Sequence, residues 1–280
     1  MKKLLCVVGF LVLAAGLPLW GYDTSPAQYQ VVPEAIWAAA TGGGTWVTEV
    51  QITNYGAAAA SILVFFDTSA GPGNQITLPG TIPSMNSVKY ANILSTIDAL
   101  DPSATVYYGK VGALLVNQSN GAAVIQVQAQ TVNGNYGKTF PGLNDVEGNT
   151  AVQGRPMIIQ GLVRNATYRT SVGVFSTSEL TCTVRFTIYN SAYGVVGSYF
   201  EKTVGPYTHL SFNPFVQAGI TSGDYDNCWL YIEVTAGGEP NYGLFSYGSL
   251  ANNYTNDTYA LMAKQYGAGT TAAPAPPVRY

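Results

Sequence analysis

Histidine is almost absent from this chain of 280 residues. The single one, His209, stands in "GPYTHLSFNP", so a Ser–His nucleophilic mechanism would have to use it. The sequence also lacks a G-x-S-x-G elbow and the strand-to-helix turn on which such an elbow sits. A lone histidine at the start of a strand is usually a surface or hydrogen-bonded residue. We therefore predict no catalytic residue, no cofactor and no enzymatic activity.

Charged residues are scarce too. They make up 10% of the sequence, with 12 Lys and Arg against 15 Asp and Glu, and no basic block occurs. Nucleic-acid binding depends on neutralising phosphates with clustered cations, and anionic membrane surfaces attract the same clusters. The composition therefore argues against nucleic acid and against a membrane surface as partners.

Two carboxylates do lie close together. Asp224 and Asp226 stand in "SGDYDNC", before a predicted strand. Clustered oxygen ligands are what calcium prefers, which makes this pair the candidate metal site. The complete calcium-loop pattern is absent, however, and Asp and Asn are ordinary turn formers. A hydrolase with an unrecognised site would have to use this pair or His209.

The N-terminus has the pattern of a secretory signal. Lys2 and Lys3 precede an apolar run from Leu4 to Leu17, with cleavage predicted near Gly21. A retained anchor is the alternative, although the run is shorter than the roughly 20 residues that usually span a bilayer. Cleavage leaves ten basic residues against fifteen acids, a net charge of −5. We expect a secreted, extracellular or cell-surface protein whose mature chain has no membrane span.

Cysteine is rare, and cleavage would remove Cys6. The two that stay, Cys182 and Cys228, are most simply interpreted as one structural disulfide in an exported chain. Such a bridge would stabilise the fold by roughly 4 kcal/mol in the chain-entropy model. The alternative is a pair of buried thiols.

What the chain does contain is a repeat. The segment "GTWVTEVQITN" at 44–54 resembles the segment "ATYRTSVGVFS" at 166–176, which lies 122 positions later. Apolar residues alternate in both copies and again near 62–66 and 184–188, which is typical of strands with one buried face. Evidence for helix is confined to 87–100. The sequence predicts an all-β fold of two tandem β-sandwich domains related by internal duplication.

A later pair of segments matches less closely. "KVGALLVNQSNGAAVIQVQAQ" and "NCWLYIEVTAGGEPNYGLFSY" each contain two strands around a turn, which predicts a hairpin in each half. In the second copy we expect the inward-facing side chains to be Cys228, Leu230, Ile232 and Val234. Trp229 and Tyr231 would then point away from the core.

Breaks in the pattern set the domain boundaries. Gly, Pro, Asn and Asp dominate 137–156, and Ala and Pro dominate the C-terminus. The predicted organisation is a signal peptide at 1–21, a first sandwich at 22–140, a linker at 141–154, a second sandwich at 155–266 and a flexible tail at 267–280.

The repeated unit permits a comparison. A leading strand ("QVVPEAIW" or "RPMIIQGLV") precedes an aromatic-x-Thr strand and then a strand ending at Asp67 or Asn190. This form resembles exported bacterial proteins with tandem immunoglobulin-like β-sandwich domains, mostly of unassigned activity. The resemblance implies a fold and an exported location, and it transfers no functional residue.

Tyrosine is abundant, and twelve of the twenty lie between 150 and 266. Exposed aromatic rings could bind sugars or join subunits, and Gln126, Gln128 and Gln130 would share an exposed strand face in the first half. The alternative is that these residues line a solvated or interdomain face. The candidate ligand or interface aromatics are Trp229, Tyr231, Tyr242 and Tyr247.

Three functional hypotheses follow. The first is a non-enzymatic structural or adhesive protein that self-assembles into an extracellular polymer or matrix. The second is a carbohydrate-binding module that uses the exposed aromatics, with surface glycans as partners. The third is the hydrolase described above.

Overall fold

The computed structural model describes residues 24–40, 43–103, 106–121, 123–145, 150–239 and 243–266. The predicted signal peptide and tail lie outside the described residues, as does Tyr242. The described chain is nearly all antiparallel β-structure, which confirms the predicted all-β sandwich class.

The N-terminal half consists of one eight-stranded sheet folded into two arms. The first arm has the order β4-β3-β6-β1, and the second arm has β5-β2-β7-β8. The arms join where Ala38 and Ala39 of β1 pair with Trp46 and Thr45 of β2. The elements are β1 (Tyr29–Ala39), β2 (Thr45–Asn54), β3 (Ile62–Thr68), β4 (Ile76–Thr77), β5 (Asn86–Tyr90), α1 (Ile93–Leu100), β6 (Lys110–Gln118), β7 (Ile125–Asn133) and β8 (Tyr136–Pro141).

The C-terminal half consists of two separate sheets. The four-stranded sheet has the order β13-β10-β15-β16, and the five-stranded sheet has β12-β11-β14-β9-β17. The elements are β9 (Met157–Arg164), β10 (Tyr168–Ser176), β11 (Cys182–Tyr189), β12 (Phe200–Val204), β13 (His209–Phe212), α2 (Pro214–Gln217), β14 (Tyr225–Gly237), β15 (Leu244–Asn252), β16 (Thr258–Met262) and β17 (Lys264–Gln265).

Strand order corresponds between the halves. The first arm matches β12-β11-β14-β9, and the second arm matches the four-stranded sheet, strand for strand. One buried threonine has the same role in each half. Thr48 Oγ1 accepts from Ile36 N at 2.8 Å and donates to Ile36 O at 3.1 Å. Thr170 Oγ1 makes the same two bonds to Val163, at 2.9 and 2.8 Å.

The predicted hairpins are wrong. β6 lies in the first arm and β7 in the second, and β14 and β15 likewise lie in different sheets. The loop between them therefore crosses from one layer to the other. A turn signal shows that the chain reverses, but it does not show which sheet the next strand joins. In this respect the order differs from the immunoglobulin one, in which the last two strands share a sheet.

Each half has its own hydrophobic cluster between its layers. Val50, Val64 and Val116 belong to the N-terminal cluster, and Val172, Val184 and Leu230 to the C-terminal one. The predicted inward-facing residues Cys228, Leu230, Ile232 and Val234 are all buried, which confirms that register.

A third cluster lies between the halves. Val31 of β1 and Ala113 of β6 contact Phe175 of β10 and Phe245 of β15. The strands at this contact are therefore buried on both faces, so Gln30 to Ala35 and Leu244 to Ser249 form unbroken buried runs. Strict alternation of buried and exposed positions fails there because a second layer covers the outer face.

The predicted disulfide is absent. Cys182 and Cys228 are free, buried thiols. Cys182 pairs with Gly237 across β11 and β14, and Cys228 lies nine residues earlier on β14. At about 3.3 Å per residue the two are roughly 30 Å apart, whereas a disulfide needs Cα atoms within about 7 Å. The sequence predicted the shared buried face correctly but not the position along the strand.

Candidate functional site

A β-bulge at "VVPEA" places a carboxylate between the halves. The pairing of β1 with β6 shifts register between Val32 and Ala35, around Pro33 and Glu34. Proline has no N–H to give to a ladder, so an irregularity of this kind is where a strand accommodates it. Glu34 there forms an ion pair with Lys138 of β8, at 2.6 Å, and each side chain is only 8% exposed.

Hydrogen bonds connect this ion pair to the C-terminal half. Lys138 Nζ donates to Ser249 Oγ at 2.7 Å. The Tyr247 hydroxyl bonds to Glu34 and lies 2.9 Å from His209 Nε2. A hydroxyl has one hydrogen, so if Tyr247 donates to Glu34, His209 must donate through Nε2–H. We call the set of Glu34, Lys138, His209, Tyr247 and Ser249 the inter-half network.

Burial keeps His209 and Tyr247 of the network in their neutral forms near pH 7. Removal from water lowers the pKa of His209 to about 4, so the imidazole is neutral near pH 7. Burial, with the nearby Glu34 charge, raises the pKa of Tyr247 well above its usual value. His209 is therefore a neutral hydrogen-bond partner of Tyr247 within the four-stranded sheet, and it is shielded from solvent.

Tyr247 was expected to be an exposed aromatic, and that prediction is wrong. It is 1% exposed and packs edge-to-face on Phe140 of the N-terminal half, with 5.3 Å between ring centroids. Its ring lies over Gly173, where an added Cβ would come within 2.1 Å of it. The missing side chain at Gly173 is what lets the ring lie there.

Trp229 and Tyr231 lie on the outer face of the five-stranded sheet, as predicted. Trp229 stacks on Tyr189 of β11, with centroids 4.4 Å apart and an angle of 15° between the rings. Tyr193, which is 68% exposed, contacts Trp229 edge-on. Tyr231 packs edge-on against Tyr266. We call Tyr189, Tyr193 and Trp229 the aromatic cluster.

The outer surface of the second arm, in the N-terminal half, is polar. Gln128 and Gln130 of β7 are exposed and Gln126 is half-buried, which confirms the predicted shared face. Gln51 and Thr53 of β2 pair with Gln128 and Gln126. The two halves thus expose surfaces of different chemistry: amides and hydroxyls on one, aromatic rings on the other.

The two calcium candidates lie at the surface of the C-terminal half. Asp224 and Asp226 are both exposed, and Asp226 Oδ1 accepts a hydrogen bond from Asn165 Nδ2 at 2.8 Å. In the part of the chain that the structure describes, no three His, Cys, Asp or Glu side chains gather as metal ligands would. Nor is any described helix both long and apolar enough to cross a membrane.

Sequence reasoning missed Glu34, Lys138 and Tyr189. The run "VVPEA" holds the one available signal, since a proline inside an apolar strand favours an edge position or a bulge, and an acid follows it. Lys138 and Tyr189 carry no comparable local mark. Their partners, Glu34 and Trp229, lie far away in sequence and become neighbours only through the strand order.

No protein-family profile and no curated protein matches the chain. Among solved structures, the Anabaena sensory rhodopsin transducer aligns at 17% identity over 36% of this chain and 85% of its own, with a TM-score of 0.28. The Thermotoga maritima 1070 structure aligns at 13% identity over 41% and 94%, with a TM-score of 0.31. A tetra-tandem repeat from the extending region of a large adhesion protein aligns at 16% identity over 85% and 49%, with a TM-score of 0.19. The strand pairing alone defines the fold.

Proposed function

We propose that this chain is a non-enzymatic structural or adhesive protein of the cell exterior, which acts through the surfaces that its two halves present. The observation that carries the proposal is the aromatic cluster on the outer face of the C-terminal half. Stacked, partly exposed aromatic rings are the side chains that contribute most to binding at protein surfaces.

The inter-half network supports this proposal because it gives the titratable side chains a structural role. Glu34 and Lys138 form a buried ion pair where the halves meet, and His209 is hydrogen-bonded to Tyr247, which lies beside that pair. A fixed arrangement of the halves would keep the glutamine side chains of β7 and the aromatic cluster at a constant distance and orientation. That is what repeated contacts in a polymer or matrix require.

We also propose that the halves arose by internal duplication and that the chain is exported. The corresponding strand orders and the shared roles of Thr48 and Thr170 support the duplication. Export rests on the N-terminal sequence pattern.

Assembly is tested by analytical ultracentrifugation and negative-stain microscopy of the secreted protein, with cell or matrix binding measured in parallel. We expect concentration-dependent association that the double substitution Tyr193→Ala and Trp229→Ala weakens. The matched control is Tyr254→Ala, which removes another exposed tyrosine from the same half. A strictly monomeric protein with no affinity for cells or matrix would contradict the proposal.

Carbohydrate binding by the same cluster is the second candidate. Trp229 with Tyr189 offers an aromatic surface on which a sugar ring could stack. A glycan array followed by Trp229→Ala tests it, and unchanged binding after the substitution would remove the cluster as the platform.

A further inference from the structure

A cleft of about 230 Å³ opens between the two halves, beside the inter-half network. Its floor belongs to the four-stranded sheet, where Ser171 of β10 pairs with Ser249 of β15 and Arg169 pairs with Ala251. Alternate residues of a strand share a face, so Arg169 and Ser171 line the floor about 7 Å apart. The cleft is smaller than the roughly 300–1,000 Å³ of pockets for drug-sized molecules, which limits its ligand to about one ring.

Arg169 lies at the mouth of the cleft without an acidic partner. It is exposed, and its guanidinium donates to two amide oxygens, Asn253 Oδ1 at 2.9 Å and Asn256 Oδ1 at 3.5 Å. No carboxylate in the described part of the chain comes within ion-pair distance of it. A guanidinium has five N–H donors in a planar fork, so donors remain for a ligand.

The cleft therefore carries one uncompensated positive charge. Glu34 and Lys138 also line it, but they form an ion pair at 2.6 Å and compensate each other. Each of these two side chains is only 8% exposed, whereas Arg169 faces solvent. An anion that enters the cleft reaches the guanidinium before it approaches the Glu34 carboxylate. The charge distribution favours a singly charged anion.

The other walls suit an organic anion better than an inorganic one. Ser171 is half-buried and Ser211 is exposed, and neither hydroxyl has a hydrogen-bond partner among the described residues. Trp46 and Ile36 of the N-terminal half add apolar surface. A carboxylate has two oxygens that match the guanidinium fork, and the rest of such a molecule can contact the hydroxyls and the apolar wall.

We propose that the cleft between the halves binds a small organic carboxylate of about one ring, with its carboxylate on the Arg169 guanidinium and the rest of the molecule between Ser171 and Trp46. This site is separate from the aromatic cluster, and the proposal holds whether or not that cluster binds anything.

Calorimetric titration of the full chain tests the proposal. The probes are lactate, benzoate and glucuronate, each compared with its uncharged amide, and inorganic phosphate and sulfate form a separate arm. We expect saturable heat with at least one carboxylate, none with its amide, and an affinity that falls as salt is added. Equal binding of the amide would overturn the proposal, as would binding of phosphate or sulfate without any carboxylate, or no binding by any probe.

Arg169→Gln identifies the site. The variant should fold as the parent does, because Arg169 is exposed, and its affinity for the carboxylate should fall about tenfold or more. Arg169→Lys should retain part of the affinity, since it keeps the charge but loses the fork. Arg185→Gln is the matched control. It removes an arginine that already has an acidic partner, Glu201 at 3.0 Å, and should leave the affinity unchanged.

Unchanged affinity in Arg169→Gln, or an equal loss in Arg185→Gln, would overturn the proposal. Ser171→Ala gives a second test from the floor of the cleft without altering the charge, and a several-fold loss of affinity is expected. Trp229→Ala should leave this binding unchanged, which separates the cleft from the aromatic cluster.

Discussion

At the scale of single residues, two buried carboxylates in the N-terminal half respond oppositely to their surroundings. Burial raises the pKa of Asp67 to about 6, against a single backbone hydrogen bond from Gly73. A hydrogen bond from the Tyr107 hydroxyl, at 2.6 Å, is the largest cause that lowers the pKa of Asp101 to about 2. The sign of each shift therefore depends on the balance between burial, which raises the pKa, and the hydrogen bonds that the carboxylate accepts, which lower it.

Asp67→Asn should stabilise the protein near neutral pH. Because the folded pKa of Asp67 is raised, the native state binds its proton more tightly, and stability falls as pH rises from about 4 through about 6. Asparagine keeps an oxygen to accept from Gly73 and carries no charge. At about 1.4 kcal/mol per pKa unit, the gain at pH 7.5 is at most ~3 kcal/mol and disappears near pH 3.5. Urea unfolding at both pH values measures it.

Asp101→Asn is the control of opposite sign. A lowered pKa contributes stability that is present above pH 4 and lost as pH falls toward 2. This variant should therefore be less stable than the parent at pH 7.5. If both variants shifted stability in the same direction, the assigned causes would be wrong.

At the scale of elements, period-two alternation identified the strands that have one covered face. The patterns at 45–52 and 167–174 fall on β2 and β10, and those at 62–66 and 184–188 on β3 and β11. The predicted helical segment at 87–100 splits into β5 and α1, with Asn92 capping the helix through its side chain. Strand partners were not predictable in the same way, because pairing depends on long-range order that no local pattern records.

The shared threonine gives an element-scale prediction. Thr48→Val and Thr170→Val keep the side-chain shape but leave the amides of Ile36 and Val163 without the hydroxyl acceptor. Each should lower the free energy of unfolding by about 1–3 kcal/mol, since a buried donor loses its partner.

Chemical denaturation measures both losses. Thr53→Val is the matched control, because the Thr53 hydroxyl bonds to Ser87 Oγ at an exposed site, and a change within about 0.5 kcal/mol is expected. A loss of stability in only one of the two variants would show that the buried threonine does not have the same role in both halves.

At the scale of the whole molecule, the contact between the halves was the part that sequence could not show. Tyr247 occupies a strand position that would be exposed in a lone sandwich, and it is buried because β8 of the other half covers it. The Glu34–Lys138 pair is likewise buried because the C-terminal half covers it. Which outer face is covered depends on docking between layers, and the alternation of the strand is the same in either case.

Breaking the ion pair should therefore destabilise the fold strongly. Lys138→Met leaves the Glu34 carboxylate buried without its partner, and we expect a loss of about 3–5 kcal/mol. Adding Glu34→Gln should recover most of it, because the uncompensated charge is then gone.

Thermal and urea unfolding of both variants make the measurement. Lys89→Met is the matched control: its pair with Glu49 is equally short, at 2.6 Å, but Lys89 is 60% exposed, so a change below about 1 kcal/mol is expected. A loss in Lys138→Met no larger than in Lys89→Met would show that the inter-half network adds little to stability.

The burial of β1 on both faces sets an order of events during synthesis. One face of β1 is covered by its own half. The other face is covered by β10 and β15, which are synthesised much later. Until then Val31 and the Glu34 carboxylate would face water on the nascent chain. A chain truncated after β8 should therefore expose apolar surface on β1. The first half should reach its full stability only after the second half has been synthesised and has docked against it.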